Sequence, residues 1–161
     1  LTTGALSAEL PPLLATEETG FLGMMAAQAT AAACVSQNRA LAYPASADTI
    51  PTCEDQEDHV AMSTTAARSA SEVVGHAEIV VAIELLTAAH ALRYRMALEP
   101  NRELGQGTKV AFRRIRELLG TSAFSGVPSN GIAAVCAGLR SGTILSAVEE
   151  EMGALVRCQN V

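Results

Sequence analysis

The stretch from Glu57 to Met96 contains no proline and a single glycine, Gly75. Apolar side chains recur in it at steps of three and four residues, which places them on one side of an α-helix. These residues are Val60, Ala67, Val74, Ala77, Val81, Leu85, Ala88 and Leu92. Such a helix would be roughly 50 Å long or more, at about 1.5 Å per residue. A helix of this length suits an elongated bundle or a subunit interface.

Shorter helices are predicted on both sides of this long one. Their approximate bounds are Gly20 to Tyr43, Thr108 to Leu119, Ile132 to Leu139 and Ile144 to Val156. Loops rich in proline, glycine or polar residues are predicted over residues 1–19, 44–56, 97–107 and 122–131. No alternation of apolar and polar residues persists, so no strand is predicted. The predicted fold is therefore all-α, a long-helix bundle forming one helical region over residues 1–161.

The composition also favours closely packed helices. Hydrophobic residues make up 49% of the chain, but aromatic residues only 3%, and alanine supplies much of the apolar content. Alanine has the highest helix propensity, and small side chains let helix backbones approach closely. Each small side chain buries little apolar area, so we expect the chain to need a further partner surface through oligomerisation.

The charge argues against binding to nucleic acid. The formal net charge is −6, whereas nucleic-acid-binding domains present a basic surface. The one basic cluster is Arg113-Arg114-Ile115-Arg116-Glu117. Because it lies in a helical pattern beside an acid, we interpret it as a solvated, ion-paired helix face.

Four cysteines are spread along the chain: Cys34, Cys53, Cys136 and Cys158. Their spacing contains no Cys-x-x-Cys pair and no group of cysteine and histidine typical of a metal site. We therefore predict no metal, and reduced, mostly buried thiols in a cytoplasmic protein. No signal peptide is evident.

Two apolar stretches, residues 20–35 and 79–92, are interrupted by polar side chains. The first contains Gln28, and the second contains Glu84 and His90. Neither stretch forms an uninterrupted membrane-spanning segment, so both are predicted to be buried helices of a soluble protein, with no membrane partner.

The segment best suited to chemistry is Gln56-Glu57-Asp58-His59, which follows a loop bounded by prolines. Rigid helices often present reacting groups on such loops. Acids at a helix N-terminus also stabilise the helix through its dipole and its free N–H groups. The spacing alone leaves both interpretations open, a reactive group or a helix cap.

This segment and several others resemble the histidine ammonia-lyases, members of the histidine and aromatic amino-acid ammonia-lyase family. The run from Pro44-Ala45-Ser46-Ala47-Asp48 through Gln56-Glu57-Asp58-His59-Val60 closely resembles a segment of those enzymes. Further similar segments are residues 10–12, 20–32 and 82–86. The resemblance covers residues 10 to 95 well and the remainder loosely.

The resemblance implies a mainly helical homotetramer whose active sites are built from several subunits. The family removes ammonia from an amino acid with an electrophilic 4-methylidene-imidazol-5-one, formed from an internal Ala-Ser-Gly. This sequence contains no Ala-Ser-Gly; residues 124–126 and 140–142 end in Ser-Gly without the alanine. The catalytic tyrosine and the carboxylate-binding arginine of the family lie upstream of the matched region. We therefore expect the isolated chain to be inactive and the cofactor to come from residues that it does not contain.

Four positions carry roles implied by the resemblance. Glu57 corresponds to the active-site glutamate, and Met25 to a residue that lines the pocket for the substrate side chain. Gln56 corresponds to a polar neighbour that forms hydrogen bonds to the substrate. His59 is either a second-shell donor to Glu57 or a plain residue at the start of the helix. The combination of Met25 with Gln56-Glu57-Asp58-His59 favours histidine as the substrate.

Two departures leave alternatives open. Asp55 stands where the family usually has asparagine, and Tyr43 where it often has histidine or asparagine. The leading hypothesis is the C-terminal part of an enzyme converting L-histidine into urocanate and ammonia, as a fragment or as one subunit of a split enzyme. One alternative is a non-catalytic helical oligomerisation module. Another is part of a tyrosine or phenylalanine ammonia-lyase or aminomutase.

Overall fold

The chain is described here by a computed structural model over residues 10–17, 20, 22–120 and 128–155. Its elements are α1 (Met25–Leu41), α2 (Ser63–Leu98), α3 (Gln106–Leu119), α4 (Pro128–Arg140) and α5 (Thr143–Met152), with short 3-10 turns at Pro12–Leu14 and Ala45–Ala47. Extended pairing within these residues is limited to two isolated bridges, Thr16 with Gly20 and Thr52 with Glu57. The all-α prediction is confirmed.

The first two helices begin later than predicted. Helix α1 starts at Met25 rather than near Gly20, because Gly20 and Gly23 have positive φ angles of 74° and 48°. Helix α2 starts at Ser63 rather than near Glu57, and Met62 before it has a φ of 48°. A right-handed helix cannot continue through such angles.

The last two helices also differ from prediction at their ends. Helix α4 begins at Pro128, where the fixed φ of proline suits the first helical position, rather than near Ile132. Helix α5 ends at Met152, because Gly153 has a φ of 82°. Most of the predicted loop 122–131 and the predicted helix end at Val156 lie outside the described residues, as does most of the predicted loop 1–19.

The chain divides into two compact units. The first comprises residues 1–29 and 81–161, and the second comprises residues 30–80. In the first unit, α3 packs against α5 and α4. Its buried apolar side chains come from α2, α3, α4 and α5 and include Ile83, Leu86, Val110, Phe112, Ile115, Val135 and Ile144. The hydrophobic core of the described residues therefore lies in the first unit.

The second unit buries far fewer side chains than the first. Cys34 is the single buried side chain among its residues. The apolar side predicted for the long helix is uncovered here, since Ala67, Val74 and Ala77 are exposed and Val74 retains 58% of its accessible surface. Small side chains cover one another poorly, and this unit contains no large core residue that could shelter them.

The basic cluster in α3 forms the ion-paired face that was predicted. Arg114 Nη1 lies 2.9 Å from Glu117 Oε2, and the Arg116 guanidinium lies over the Phe112 ring, 5.7 Å from its centroid. After α2, Glu99 pairs with Arg95 at 3.2 Å and with Arg102 at 2.9 Å. The hydrogen bond from Arg102, assisted by Arg95, lowers the pKa of Glu99 from its ordinary value.

The prediction for the thiols is met in part. Cys34 and Cys136 are buried as predicted, whereas Cys53 is exposed, and Cys158 lies outside the described residues. No group of three or more potential ligands capable of holding a metal ion occurs in the part of the chain that the structure describes.

The length and composition of helix α2 bear on the membrane prediction. Helix α2, which contains the whole of the apolar stretch 79–92, is long and apolar enough to cross a membrane by length and composition. Helices α4 and α5 reach such a length only if they are counted together across a bend of 59°. In α2, 28% of the apolar window is buried. Length and composition alone support this statement, and core helices of soluble proteins share both properties.

Two glycines allow a matched test of this fold. Gly23 has a positive φ, and a Cβ there would overlap the Leu13 carbonyl oxygen and lie 2.8 Å from Ala15 N. Gly75 lies in α2, and a Cβ there would meet nothing within 4 Å. We predict that Gly23→Ala lowers the free energy of unfolding by at least about 1–2 kcal/mol. Gly75→Ala should raise it by about 0.5–1 kcal/mol through better helix propensity. Urea unfolding monitored by circular dichroism measures both, and changes of the same sign would contradict the structure.

Candidate functional site

The candidate residues lie in the segment that joins α1 to α2, residues 42–62, which we call the site loop. It belongs to the second unit, and its residues 51–59 are all exposed. The loop carries the carboxylates Asp48, Glu54, Asp55, Glu57 and Asp58, and it contains no lysine or arginine. This concentration of negative charge favours the approach of a cationic group, such as an ammonium or an imidazolium.

A tight turn places Glu57 within the loop. Thr52 N donates to Glu57 O at 3.1 Å, Glu57 N donates to Thr52 O at 3.3 Å, and Gln56 N donates to Cys53 O at 3.2 Å. Cys53, Glu54 and Asp55 all adopt left-handed conformations, with φ of 56°, 55° and 63°. Each such residue costs about 1–2 kcal/mol, and strain of this kind concentrates at functional sites.

The Glu57 carboxylate is held at one oxygen. Thr52 Oγ1 donates a hydrogen bond to Glu57 Oε2 at 3.2 Å. Oε1 accepts no hydrogen bond from the described residues, and the side chain is exposed. A carboxylate anchored in this way retains acceptor capacity for an N–H group of a ligand and can exchange a proton with it.

A second threonine closes the base of the turn. Val60 N donates to Thr49 Oγ1 at 2.8 Å. Hydrogen bonds therefore connect the two sides of the loop at two places, between Thr49 and Val60 and between Thr52 and Glu57. Neither threonine was singled out by the sequence analysis. The available signal was a pair of threonines flanking Ile50-Pro51, because hydroxyl side chains beside turns often bond to the nearby backbone.

The structure rules out the helix-cap interpretation of the acidic segment. Glu57 and Asp58 precede the start of α2 at Ser63 by several residues, and Glu57 is paired with Thr52 instead. For the same reason, His59 is not a residue at the start of the helix. His59 is exposed and has no hydrogen bond to Glu57 among the described contacts, so its supporting role stays a prediction.

The two substrate-binding candidates lie in different units. Gln56 is an exposed residue of the turn in the second unit. Met25 is the first residue of α1 in the first unit, and its side chain is 43% exposed, whereas the neighbouring Met24 is 2% exposed. Met25 therefore presents accessible apolar surface, and Met24 belongs to the core.

Asp55 is the residue that departs from the pattern of the similar enzymes. Its φ of 63° lies in the left-handed region, which asparagine and aspartate enter more readily than other non-glycine residues. The replacement therefore keeps the conformational requirement of the turn, but it removes an amide donor and adds a negative charge.

A separate cleft of about 250 Å³ lies in the first unit. Its lining combines apolar and charged side chains: Leu14, Thr16, Glu17, His90, Arg93, Tyr94 and Ala97. None of the site residues predicted from the sequence lines this cleft.

Comparison with known sequences identifies one family. The family described as "Aromatic amino acid lyase" matches residues 1–117. A histidine ammonia-lyase of Caldanaerobacter subterraneus subsp. tengcongensis is 50% identical over 110 residues, which is 68% of this chain and 21% of that protein. A histidine ammonia-lyase of Natranaerobius thermophilus is 40% identical over 146 residues, 91% of this chain and 28% of that protein. The chain thus spans less than a third of the length of these relatives.

Solved structures show the same similarity. Histidine ammonia-lyase from Trypanosoma cruzi superposes with a TM-score of 0.81 at 35% identity, covering 93% of this chain and 29% of that chain. A mutant tyrosine aminomutase with bound ligand superposes with a TM-score of 0.84 at 29% identity, covering 97% of this chain and 29% of that chain.

The two threonines of the site loop allow a local test. Thr49→Val removes the acceptor for Val60 N, so we predict that the Val60 amide exchanges its hydrogen about 10-fold faster, as expected for the loss of one hydrogen bond. Thr49→Ser should retain the slow exchange. Thr52→Val should leave the Val60 amide unchanged, because Thr52 bonds to Glu57 instead. Hydrogen exchange followed by NMR checks these values, and an unaltered Val60 in Thr49→Val would show that the loop is closed differently.

Proposed function

This chain belongs to the aromatic amino acid lyase family, and we propose that it supplies active-site residues to an amino-acid ammonia-lyase as that enzyme's C-terminal part. The observation that carries the proposal is the exposed Glu57 carboxylate, held at one oxygen by Thr52 within an acidic turn. The proposed reaction is the conversion of L-histidine into urocanate and ammonia.

In this proposal Glu57 is the catalytic residue of the chain. Its unbonded oxygen would accept a hydrogen bond from the ammonium or imidazole of the substrate and hold a proton during the reaction. The carboxylates around it raise the local concentration of a cationic substrate. Gln56 would provide an amide for orientation, and the exposed thioether of Met25 would contact the substrate side chain.

The family's 4-methylidene-imidazol-5-one would supply the electrophile that activates the amino acid. No Ala-Ser-Gly occurs in this sequence, so the group would be formed by residues of another part of the enzyme. The residues present fit a neighbour of that kind, since the site loop offers an accessible carboxylate and no lysine or arginine that would compete for it.

We propose that the chain works within a homo-oligomer, of tetrameric form in this family, together with the complementary N-terminal portion. The exposed apolar surface of the second unit supports this assembly. Val74 and Ile50 are each 58% exposed and Tyr43 is 71% exposed, which leaves apolar area to be covered by other parts of the enzyme.

An alternative function is a non-catalytic helical oligomerisation module. The uncovered apolar side of α2 at Ala67, Val74 and Ala77 favours it, as does Asp55 in place of the usual asparagine. The two functions differ in whether they require Glu57. A catalytic role needs its carboxylate, whereas assembly through helices does not.

Substitution of Glu57 separates the two functions. In the assembled enzyme that contains this chain, we predict that Glu57→Gln lowers kcat about 100-fold or more, since a general acid–base group is lost. Asp58→Asn is the matched control, because it removes the same charge from the adjacent exposed residue, and it should change kcat far less. Initial rates and native mass spectrometry measure activity and assembly. Full activity of Glu57→Gln in an intact assembly would support the oligomerisation module.

A reconstitution assay tests the division of roles. We predict that the 161-residue chain alone forms no urocanate from L-histidine, and that activity arises when the complementary portion carrying the cofactor is added. Among histidine, tyrosine and phenylalanine, histidine should give the highest kcat/KM. Ammonia release by the isolated chain would contradict the proposed division, and a preference for tyrosine would favour the aminomutase-like alternative.

A further inference from the structure

One side chain joins the two helices that flank the site loop. Asn38, in the last turn of α1, donates from Nδ2 to the Val73 carbonyl oxygen of α2 at 3.3 Å. Asn38 Oδ1 lies 2.8 Å from His76 Nδ1, on the next turn of α2. All three residues belong to the second unit and are half-buried.

The Val73 carbonyl determines which atom carries the proton. A carbonyl oxygen only accepts, so the amide nitrogen of Asn38 faces Val73 and the amide oxygen faces His76. The amide oxygen also only accepts, and Nδ1 of His76 must therefore carry a hydrogen and donate it. The reversed amide would place two oxygens against each other at Val73. Neutral His76 is consequently the Nδ1–H tautomer.

These residues lie on the less solvent-exposed sides of the two helices. On residues 30–41 of α1, every position is exposed except four, at steps of three and four: Ala31, Cys34, Asn38 and Leu41. On residues 63–80 of α2, the half-buried positions are Ser69, Val73, Gly75, His76, Glu78, Ile79 and Val80. Of these, Ser69, Val73, His76 and Val80 follow steps of three and four. We call these two series the seam of the second unit. Close backbone contact between α1 and α2 is sparse, and the hydrogen bonds of Asn38 to Val73 and His76 connect the two helices.

Apolar packing in this seam does little to fix how α1 is aligned along α2. Alanine, cysteine, serine and valine form shallow ridges, so sliding one helix by a turn of about 5.4 Å loses little contact area. The same slide would separate Asn38 from both of its partners and leave half-buried polar groups unpaired. A single polar residue in a helical seam is known to select one alignment in this way.

We infer that Asn38 and His76 are positioning residues that fix the alignment of α1 and α2 in the second unit, and thereby the placement of Glu57. The site loop leaves α1 after Leu41, three residues beyond Asn38, and joins α2 at Ser63. Its internal bonds at Thr49 and Thr52 do not depend on this alignment, so a slide would displace the turn without opening it. The effect on catalysis rests on the proposed function, whereas the alignment does not.

The tautomer and the alignment are tested on the 161-residue chain. Ring ¹⁵N chemical shifts of the unaltered protein should show the Nδ1–H tautomer for His76, and the Nε2–H tautomer would overturn the inference without any substitution. Non-cysteine spin labels at the exposed Ser36 and Ser71 report the alignment by electron–electron distance measurement. The unaltered chain should give one narrow distance.

The substitutions are chosen as matched pairs. Asn38→Leu and His76→Leu should add a second distance, displaced by about 5 Å, or broaden the first. His76→Asn retains a donor at the same position along the side chain and should keep the narrow distance. Gln37→Leu makes the same amide-to-leucine change at an exposed neighbour and should also keep it. An unchanged narrow distance in Asn38→Leu and His76→Leu would overturn the inference.

Activity of the assembled enzyme gives the last readout. Asn38→Leu and His76→Leu should each lower kcat about 10- to 100-fold with a smaller change in KM, because a displaced carboxylate misses its reacting atom. His76→Asn, which retains the donor, should keep most of the rate. An altered distance with unchanged kcat would overturn the positioning role. An unaltered assembly without lyase activity would reject the proposed function, and the distance measurements would still decide the alignment.

Discussion

The unbroken backbone of α2 is the constraint on which both compact units depend. It runs for 36 residues, and its side chains after position 81 supply Ile83 and Leu86 to the core of the first unit. Its earlier turns supply Val73 and His76 to the seam of the second unit. The same element is therefore stabilised by polar contacts over its earlier part and by apolar burial over its later part, because its side chains change from mostly small to large and apolar along its length.

The site loop shows how a strained segment is maintained without a core beneath it. Three successive left-handed residues would be unfavourable in a free chain, but the Thr52–Glu57 and Thr49–Val60 bonds enclose them within a short closed turn. The closure uses backbone groups and threonine hydroxyls, and it needs no buried apolar side chain. The acidic side chains of the turn can therefore stay in solvent, available to a ligand.

The helices were predictable from the sequence where helix propensity determines the backbone conformation. Their ends were less predictable where contacts with other residues determine it. Proline-free runs rich in helix-forming residues indicated all five α-helices of the described residues, because helix propensity is a local property of the sequence. The start of α2 was misplaced by several residues because the pairing of Thr52 with Glu57 competes with helix formation at Glu57. The apolar stretch 79–92 is part of a much longer helix, so the length of that helix could not be judged from the apolar run alone.

The sequence by itself determined the all-α class, the acidic character of the site loop and the membership in the lyase family, because these reside in composition, periodicity and motifs. Tertiary structure alone decided that Glu57 is held by Thr52 rather than capping a helix, and that Asn38 meets Val73 and His76. It also decided that Val74 stays exposed. Contacts between residues 38 positions apart, and the burial of any side chain, depend on where the folded chain brings its partners, which no local pattern encodes.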